Sequence, residues 1–277
     1  LSPAGYALWT ELATPVIMEA VALAESRTPP ASPLSIEDSL AEFRLHPGLE
    51  IEIVAAEPDV VAPVSIAFDP QGRMWVVEYR DYPNGPAPGE APQCRIRILS
   101  DENQDGRFEN PITFADELLF CNSLMLWRDG ALVTSDGKLL FLRDTDGDDV
   151  ADERVPWFEG FATENPQLRA NHATFAIDNH IYIANGLRNG TVSGVREDWP
   201  HDGPVSISGQ DFRFDPLTGE YEAVSGYGQF GLCFDDWGNR FECSNRNPCI
   251  HVVMDGRLLE RNPAVIVPSV LHDVSPA

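Results

Sequence analysis

Histidine 172 lies in the run Arg169-Ala170-Asn171-His172, and residue types that can hold a small polar ligand stand at other positions scattered along the chain: Arg80 and Asp81, Asn122, Asn185, Gln229, and Asn245-Arg246. Gathered at one place, Arg80, Asp81, Arg169 and His172 could orient a polyol and take a proton from it, with His172 as the general base because its ordinary pKa lies near 6.5. Asn171, Asn185, Gln229, Asn245 and Arg246 would hold a bound cofactor or substrate. The alternative is that these residues are strand-end hydrogen bonders that satisfy backbone groups. A second chemistry sits in two acidic stretches. Asp101, Asn103, Asp105 and Glu109 place oxygens at loop positions 1, 3, 5 and 9, and Asp144, Asp146, Asp148 and Asp152 repeat that spacing. Ca²⁺ takes six to eight oxygens, so each stretch reads as a calcium loop or as an ordinary acidic hairpin turn. Gly106 permits a sharp turn in the first, where the second has Asp149; neither has the Glu at position 12 that an EF-hand requires.

A repeat places these residues. An apolar strand, a tight turn at an Asp, and a second apolar strand recur around Asp69, Asp178 and Asp235, with a degenerate copy at Arg128-Asp129-Gly130. Asp69 and Asp178 are 109 residues apart, twice about 54, and 57 residues separate Asp178 from Asp235. Such a period, built from short strands and turns, predicts an all-β fold of the β-propeller type. About four blades fit the chain, which reads as part of a longer six-bladed ring. Residues 1–33 form an N-terminal segment and linker, with a helix over 6–24. The propeller occupies 34–277 and is truncated at its C-terminal end, where residues 271–277 lead into another blade. A helix over 35–43, capped by Ser35, precedes a strand over 50–54 that closes the ring. In a propeller the loops before innermost strands and after second strands share one face. That rule brings the polar residues above to one axial mouth and puts both acidic turns on the opposite face.

Composition narrows the partners. The chain of 277 residues has 44 Asp+Glu against 19 Lys+Arg, a net charge of −25. That charge repels phosphate backbones and anionic lipid surfaces, which argues against nucleic acid and peripheral membrane partners. No apolar run approaches the ~20 residues that span a bilayer. The five cysteines, Cys94, Cys121, Cys233, Cys243 and Cys249, have no Cys-x-x-Cys spacing. They are buried free thiols, or Cys243 and Cys249 close a small disulfide loop in an oxidising compartment.

Val76-Val77-Glu78-Tyr79-Arg80-Asp81-Tyr82-Pro83-Asn84-Gly85, the Asp-Thr-Asp-Gly-Asp turn at 144–148, Ala176-Ile177-Asp178-Asn179-His180-Ile181-Tyr182 and the run 229–241 from Gln229 to Phe241 carry a resemblance. From about residue 35 onward the chain resembles the N-terminal region of the membrane-bound dehydrogenases of planctomycetes and verrucomicrobia. That family is similar to the glucose/sorbosone dehydrogenases, six-bladed propellers that use pyrroloquinoline quinone and calcium. The resemblance implies oxidation of a polyol or aldose by a bound quinone, and a cytochrome c domain or protein as electron acceptor. It also implies an extracytoplasmic location, with any membrane association made through regions outside this chain. The Cys-x-x-Cys-His haem motif is absent, and His172 falls a few residues closer to the turn than the quinone enzymes' catalytic His. The alternative function is a carbohydrate-binding or protein-assembly module without redox chemistry.

Overall fold

The computed structural model describes residues 14, 15, 18, 33–200, 203–262, 264 and 266–274. It divides into two compact units, Leu1–Glu52 and Ile53–Ala277. The helix expected over 6–24 and most of the linker fall outside the described residues. The first unit contains the helix Ile36–Ala41, with Ser35 as N-cap; the Ser35 hydroxyl accepts the Asp38 N–H at 3.1 Å, satisfying one of the donors a helix start leaves open.

The second unit is built from antiparallel strands. Its first sheet is a meander of β1 (Pro63–Phe68), β2 (Met74–Glu78), β3 (Cys94–Ser100) and β4 (Glu109–Leu118). The second begins with β5 (Ser123–Trp127), β6 (Gly130–Ser135), β7 (Lys138–Arg143) and β8 (Glu153–Glu159). The third opens with β9 (Asn171–Phe175) and β10 (Ile181–Ala184). The chain then leaves it to add β11 (Thr191–Gly194) and β12 (Val205–Ser206) to the outer edge of the second sheet, and returns as β13 (Asp211–Phe214) and β14 (Tyr221–Val224). The fourth sheet is β15 (Leu232–Phe234), β16 (Arg240–Glu242), β17 (Ile250–Val252) and β18 (Leu271–Asp273). Successive first strands lie against one another, β1 on β5, β5 on β9 and β9 on β15. Four blades radiating from a shared line of innermost strands are the arrangement of a propeller.

The repeated Asp has a local cause. Asp69 Oδ1 accepts the N–H groups of Gln71 and Arg73, Asp178 Oδ1 that of His180, and Asp235 Oδ1 those of Trp237 and Asn239. Each carboxylate closes its own hairpin turn, and Gly72 (φ 80°) and Gly238 (φ 83°) supply the left-handed residue that two of the turns need.

Cores form between sheets. Trp75, Val77, Ile96, Ile98 and Phe114 of the first sheet pack on Leu124, Ala131, Val133 and Leu142 of the second. Leu132, Leu139, Trp157 and Phe158 on the other side of the second sheet meet Ile181, Ile183, Phe212 and Phe214 of the third. Tyr182, Ala184 and Val224 meet Leu232 and Phe234 of the fourth.

Two expectations are corrected. Residues 50–54 are not a strand: Ile51 and Val54 are exposed, and the one backbone bond the stretch makes among the described residues, Phe108 N–H to the Val54 carbonyl at 2.7 Å, is too little for a ladder. Residues 271–273 are not the approach to a new blade but the fourth strand of the fourth sheet, paired with β17. Among the described residues no helix is long and apolar enough to cross a membrane.

A polar tie joins the first two blades. Asp69 Oδ2 accepts Trp75 Nε1–H at 3.0 Å and Arg73 Nε–H at 2.8 Å, while Arg73 Nη1 reaches Asp149 at 2.7 Å. Burial opposes ionisation of Asp69, but the Trp75 and Arg73 hydrogen bonds outweigh it and hold its pKa below the usual carboxylate range. A depressed pKa stabilises the fold above the ordinary carboxylate range, and that stabilisation is lost as pH falls through the folded value. Asp69→Ala should therefore cost about 1.5–3 kcal/mol at neutral pH by urea unfolding. The difference from wild type should shrink in acid; a pH-independent difference would assign the effect to packing alone.

Candidate functional site

Where the innermost strands converge they leave a cavity of about 570 Å³. Its wall comes from every blade: Val64, Ser65 and Ile66 of β1, Asn122 and Ser123 at the start of β5, Asn171 and His172 of β9, and Phe230 before β15. Tyr79, Tyr82, Pro166 and Gln167 complete it from the loops.

His172 owes its position to a bulge. Tyr182 pairs with Thr174 but Ala184 pairs with Asn171, so Ile183 opposes one residue too many on β9. His172 absorbs the extra residue at φ 56°, a left-handed conformation His tolerates better than most residues. The bulge turns the imidazole outward into the cavity while Ala173 stays in the core. The His172 N–H donates to Ser123 Oγ at 2.9 Å, and Ser123 Oγ is 2.8 Å from Thr134 Oγ1, which donates to Asn122 Oδ1 at 2.5 Å. Partial desolvation by the surrounding side chains lowers the His172 pKa below its ordinary value, which favours the neutral ring although the residue stays open to solvent on one side. Tyr79 and Tyr82 stack with centroids 5.7 Å apart, and the Tyr79 hydroxyl donates to the Pro166 carbonyl at 2.5 Å. Burial pushes the Tyr79 pKa up, which keeps that hydroxyl a donor.

The other expected site residues mostly serve the frame around this cavity. Asn171 lines it, but its Nδ2 donates to the carbonyls of Arg169 (2.8 Å) and Gln229 (2.9 Å). Gln229 Oε1 accepts the Asn245 N–H at 2.9 Å. Asn185 is buried and spans Ile207 and Gln210 carbonyls while its own Oδ1 accepts the Leu187 N–H. Asp81 is buried, and its two oxygens accept the N–H groups of Gln93 (2.9 Å) and Phe120 (3.2 Å). Arg169 is buried, with its guanidinium 4.4 Å over the Phe120 ring and Nη2 donating to the Thr163 carbonyl. Arg80 faces Glu78 at 3.8 Å, and Arg246 is exposed in the turn before Asn247. The expectation that Arg80, Asp81, Arg169, Asn185, Gln229 and Arg246 point at the axis is therefore corrected: among these and their neighbours, His172 and Asn171 line the cavity. The physical reason is that loops carried by short strands have many unpaired backbone groups, and nearby polar side chains satisfy them first.

The two acidic loops share a backbone. Gln104 and Gly106 in the first and Gly147 and Asp149 in the second all have positive φ, 43 residues apart in register. Asp149 takes the place of Gly106 at φ 63° and spends its carboxylate on Arg73. Their side chains differ. Asp144, Asp146 and Asp152 each offer an oxygen within 4.8 Å of the others. Asp148 instead accepts the Val150 N–H. In the first loop Asp101 and Asn103 turn onto the N–H groups of Asp105 and Gly106, Asn103 Nδ2 donates to Asp105, and Glu109 is in β4 opposite Ser100. Among the described residues, only the second loop gathers three carboxylates.

All five cysteines are free thiols; Cys94 and Cys121 are buried, and burial pushes the Cys94 thiol up to about 11. Cys243 and Cys249 flank the turn of the β16–β17 hairpin without a disulfide.

The fold and cavity define a propeller-type β module with an axial pocket whose lining carries no charged side chain and is more apolar than polar. Residues 35–277 match the family described as "Domain of unknown function (DUF7133)", and the chain belongs to it. No curated protein matches the sequence. Among solved structures it is similar to the holo pyranose dehydrogenase PQQ domain from Coprinopsis cinerea, with 13% identity and a TM-score of 0.42 over 72% of this chain and 45% of that one. It is also similar to an oxidoreductase (glucose dehydrogenase) from Thermus thermophilus, at 14% identity and TM-score 0.41 over 74% of this chain and 82% of that one. A chain of a nidogen/laminin complex scores 0.39 at 13% identity, over 74% of this chain and 80% of its own. The chain thus spans less than half of the pyranose dehydrogenase domain. Likeness at this level carries no argument about activity.

Asp81→Ala should behave as a structural lesion, removing two buried acceptors from loop N–H groups. The expected loss is about 2–4 kcal/mol of stability, measured by chemical denaturation. A variant as stable as wild type would return Asp81 to the candidate catalytic groups.

Proposed function

We propose that the axial cavity binds a neutral, sugar-sized polyhydroxyl ligand, and that His172 accepts a hydrogen bond from one of its hydroxyls. One observation carries this: the described residues lining the cavity include Ser, Asn, Gln, Tyr and His, and no Lys, Arg, Asp or Glu. Hydroxyl groups donate and accept at once, which matches amides and hydroxyls rather than charges. The stacked Tyr79 and Tyr82 rings and Phe230 offer apolar surface to the C–H face of a pyranose. Among the described residues the His172 ring has no carboxylate partner, so a neutral imidazole nitrogen is free to accept a ligand hydroxyl.

Pyrroloquinoline quinone would supply a hydride acceptor for oxidation of such a ligand. It carries three carboxylates, and the arginines expected to neutralise them are ion-paired with Glu78 (Arg80), buried on Phe120 (Arg169) or exposed in a turn (Arg246). The described cavity lining therefore does not fit the quinone, and the reading supported best is sugar binding with His172 as acceptor. An extracytoplasmic location suits both a sugar ligand and calcium. Asp144, Asp146 and Asp152 would hold the calcium ion on the loop between β7 and β8, remote from the cavity and structural in role.

Ligand-observed NMR with a panel of neutral monosaccharides should show saturable binding. His172→Ala should weaken it about 3- to 10-fold, the worth of one neutral hydrogen bond, with thermal stability nearly unchanged. No binding from the whole panel, or loss of folding in the variant, contradicts the proposal.

Calorimetric titration with Ca²⁺ should give a Kd of about 10⁻⁴–10⁻³ M, the range of extracellular modules. Asp146→Ala should abolish the heat and Asp101→Ala should leave it unchanged. Crowding by Asp148 and then Asp152 raises the Asp146 pKa, so protons compete with the cation and binding should weaken as pH falls through that raised value. Absence of heat, or equal heat in both variants, would reduce the loop to a turn.

A further inference from the structure

The loop that brings Phe230 to the cavity is held from beneath by two acids. Asp211 on β13 and Glu242 on β16 are 0% and 3% exposed, at the junction of the third and fourth sheets. Asp211 Oδ1 accepts the N–H groups of Asn185 (3.0 Å) and Gly228 (3.2 Å), and Glu242 Oε2 accepts that of Tyr227 (2.8 Å). The second oxygen of each, Asp211 Oδ2 and Glu242 Oε1, has no hydrogen-bond donor among the described residues. Both aim at one point. A Cβ built on Gly226 (φ 129°) would lie 2.3 Å from Asp211 Oδ2, 2.2 Å from Glu242 Oε1 and 2.7 Å from Arg240 Nη2. The two orphan oxygens are thus neighbours in a space that only a glycine leaves open.

Charge balance determines what lies between them. Arg240, 6% exposed, stands 3.4 Å from Glu242 Oε1, with its guanidinium 5.1 Å over the Tyr182 ring. The Tyr182 hydroxyl in turn bonds Asp178 and Arg213. One guanidinium balances one carboxylate; a second ionised carboxylate would be an uncompensated buried charge. Arg240 also repels any metal cation from the same space. We propose that Asp211 and Glu242 hold a single proton between Oδ2 and Oε1, and that this proton seats the 226–230 loop that forms one wall of the axial cavity. With the proton present, Oδ1 and Oε2 keep Tyr227, Gly228 and Asn185 in place, and Gln229 meets Asn171. Without it, two carboxylates repel each other and the loop loses its floor.

Burial, with Glu242 adding to it, raises the Asp211 pKa well above the ordinary carboxylate value. The folded state then binds one proton that the unfolded state releases. The resulting stability is complete below the unfolded carboxylate pKa and is lost as pH rises to the raised value. Over that window the unfolding equilibrium constant should rise about tenfold per pH unit relative to a variant without the shared proton.

Infrared difference spectroscopy of the 277-residue chain at pH 7 should show the carbonyl band of one protonated carboxylic acid. Asp211→Asn and Glu242→Gln replace the proton with a permanent amide donor, and each should remove the band. Urea unfolding across pH 5–9 should show the extra one-proton slope in wild type and not in either variant. Exchange of the Tyr227 and Gly228 amides should accelerate at high pH in wild type beyond the acceleration seen in the variants. Absence of the band in wild type overturns the proposal even if neither variant folds, and so do equal pH slopes in wild type and the amide variants.

Discussion

The strands β2, β6, β10 and β13 have no face left to water, and the rest of the structure follows from that constraint. All five residues of β2, all six of β6 and all four of β10 and β13 are buried, so both sides of these strands need cover. Trp75 and Val77 turn to the second sheet, while Met74 and Val76 on the opposite side are covered by Val60, Ala55 and Phe108. Because the blades pack face to face, the innermost strands are drawn together, and the space beside them is the cavity. Apolar layers set how close the blades lie but leave sliding between them inexpensive, whereas directional polar ties fix their register. Arg73 to Asp149, Tyr79 to Pro166, Asn171 to Gln229 and Arg257 to Glu222 are such ties.

The site follows from the same geometry. A residue on an innermost strand normally alternates between core and axis, and the bulge in β9 breaks that alternation to present His172. Ser123, from the neighbouring blade, holds the His172 backbone in place. His172 and its surroundings therefore depend on two blades being correctly seated. The Asp211–Glu242 pair extends the dependence to a third contact, because its backbone partners Tyr227 and Gly228 belong to the loop that carries Phe230 into the cavity wall.

Much of this was legible in the sequence. The Asp-centred turns mark the first hairpin of each blade, because a carboxylate that closes its own turn is a local device visible in a single phrase. Even the degenerate copy at Arg128-Asp129-Gly130 falls between β5 and β6. Loop register likewise brought Asn171 and His172 to the axis. What stayed hidden depends on contacts between distant segments. The β9 bulge has no signature in the run Asn171-His172-Ala173, and Ser123, Gln167 and Phe230 enter the cavity only through blade placement. Asp81, Arg169 and Asn185 have residue types suited to catalysis, yet the loops claim them for hydrogen bonding. The pairing of Asp211 with Glu242 joins residues 31 positions apart on different sheets, each unremarked in its own strand. The stretch 50–54 shows the converse failure: an alternating pattern predicts a strand, but a ladder needs repeated backbone pairing and, among the described residues, the stretch makes one such bond, from Phe108 to Val54.

The central claim is that one ligand site is assembled from loops of all four blades. Hydrogen–deuterium exchange of the whole chain, with and without a saturating neutral monosaccharide, tests it directly. The account predicts simultaneous protection of residues 79–82, 122–123, 166–172 and 229–231, which belong to different sheets. Protection confined to a single blade, or appearing only on the face that carries the acidic loops, would contradict it.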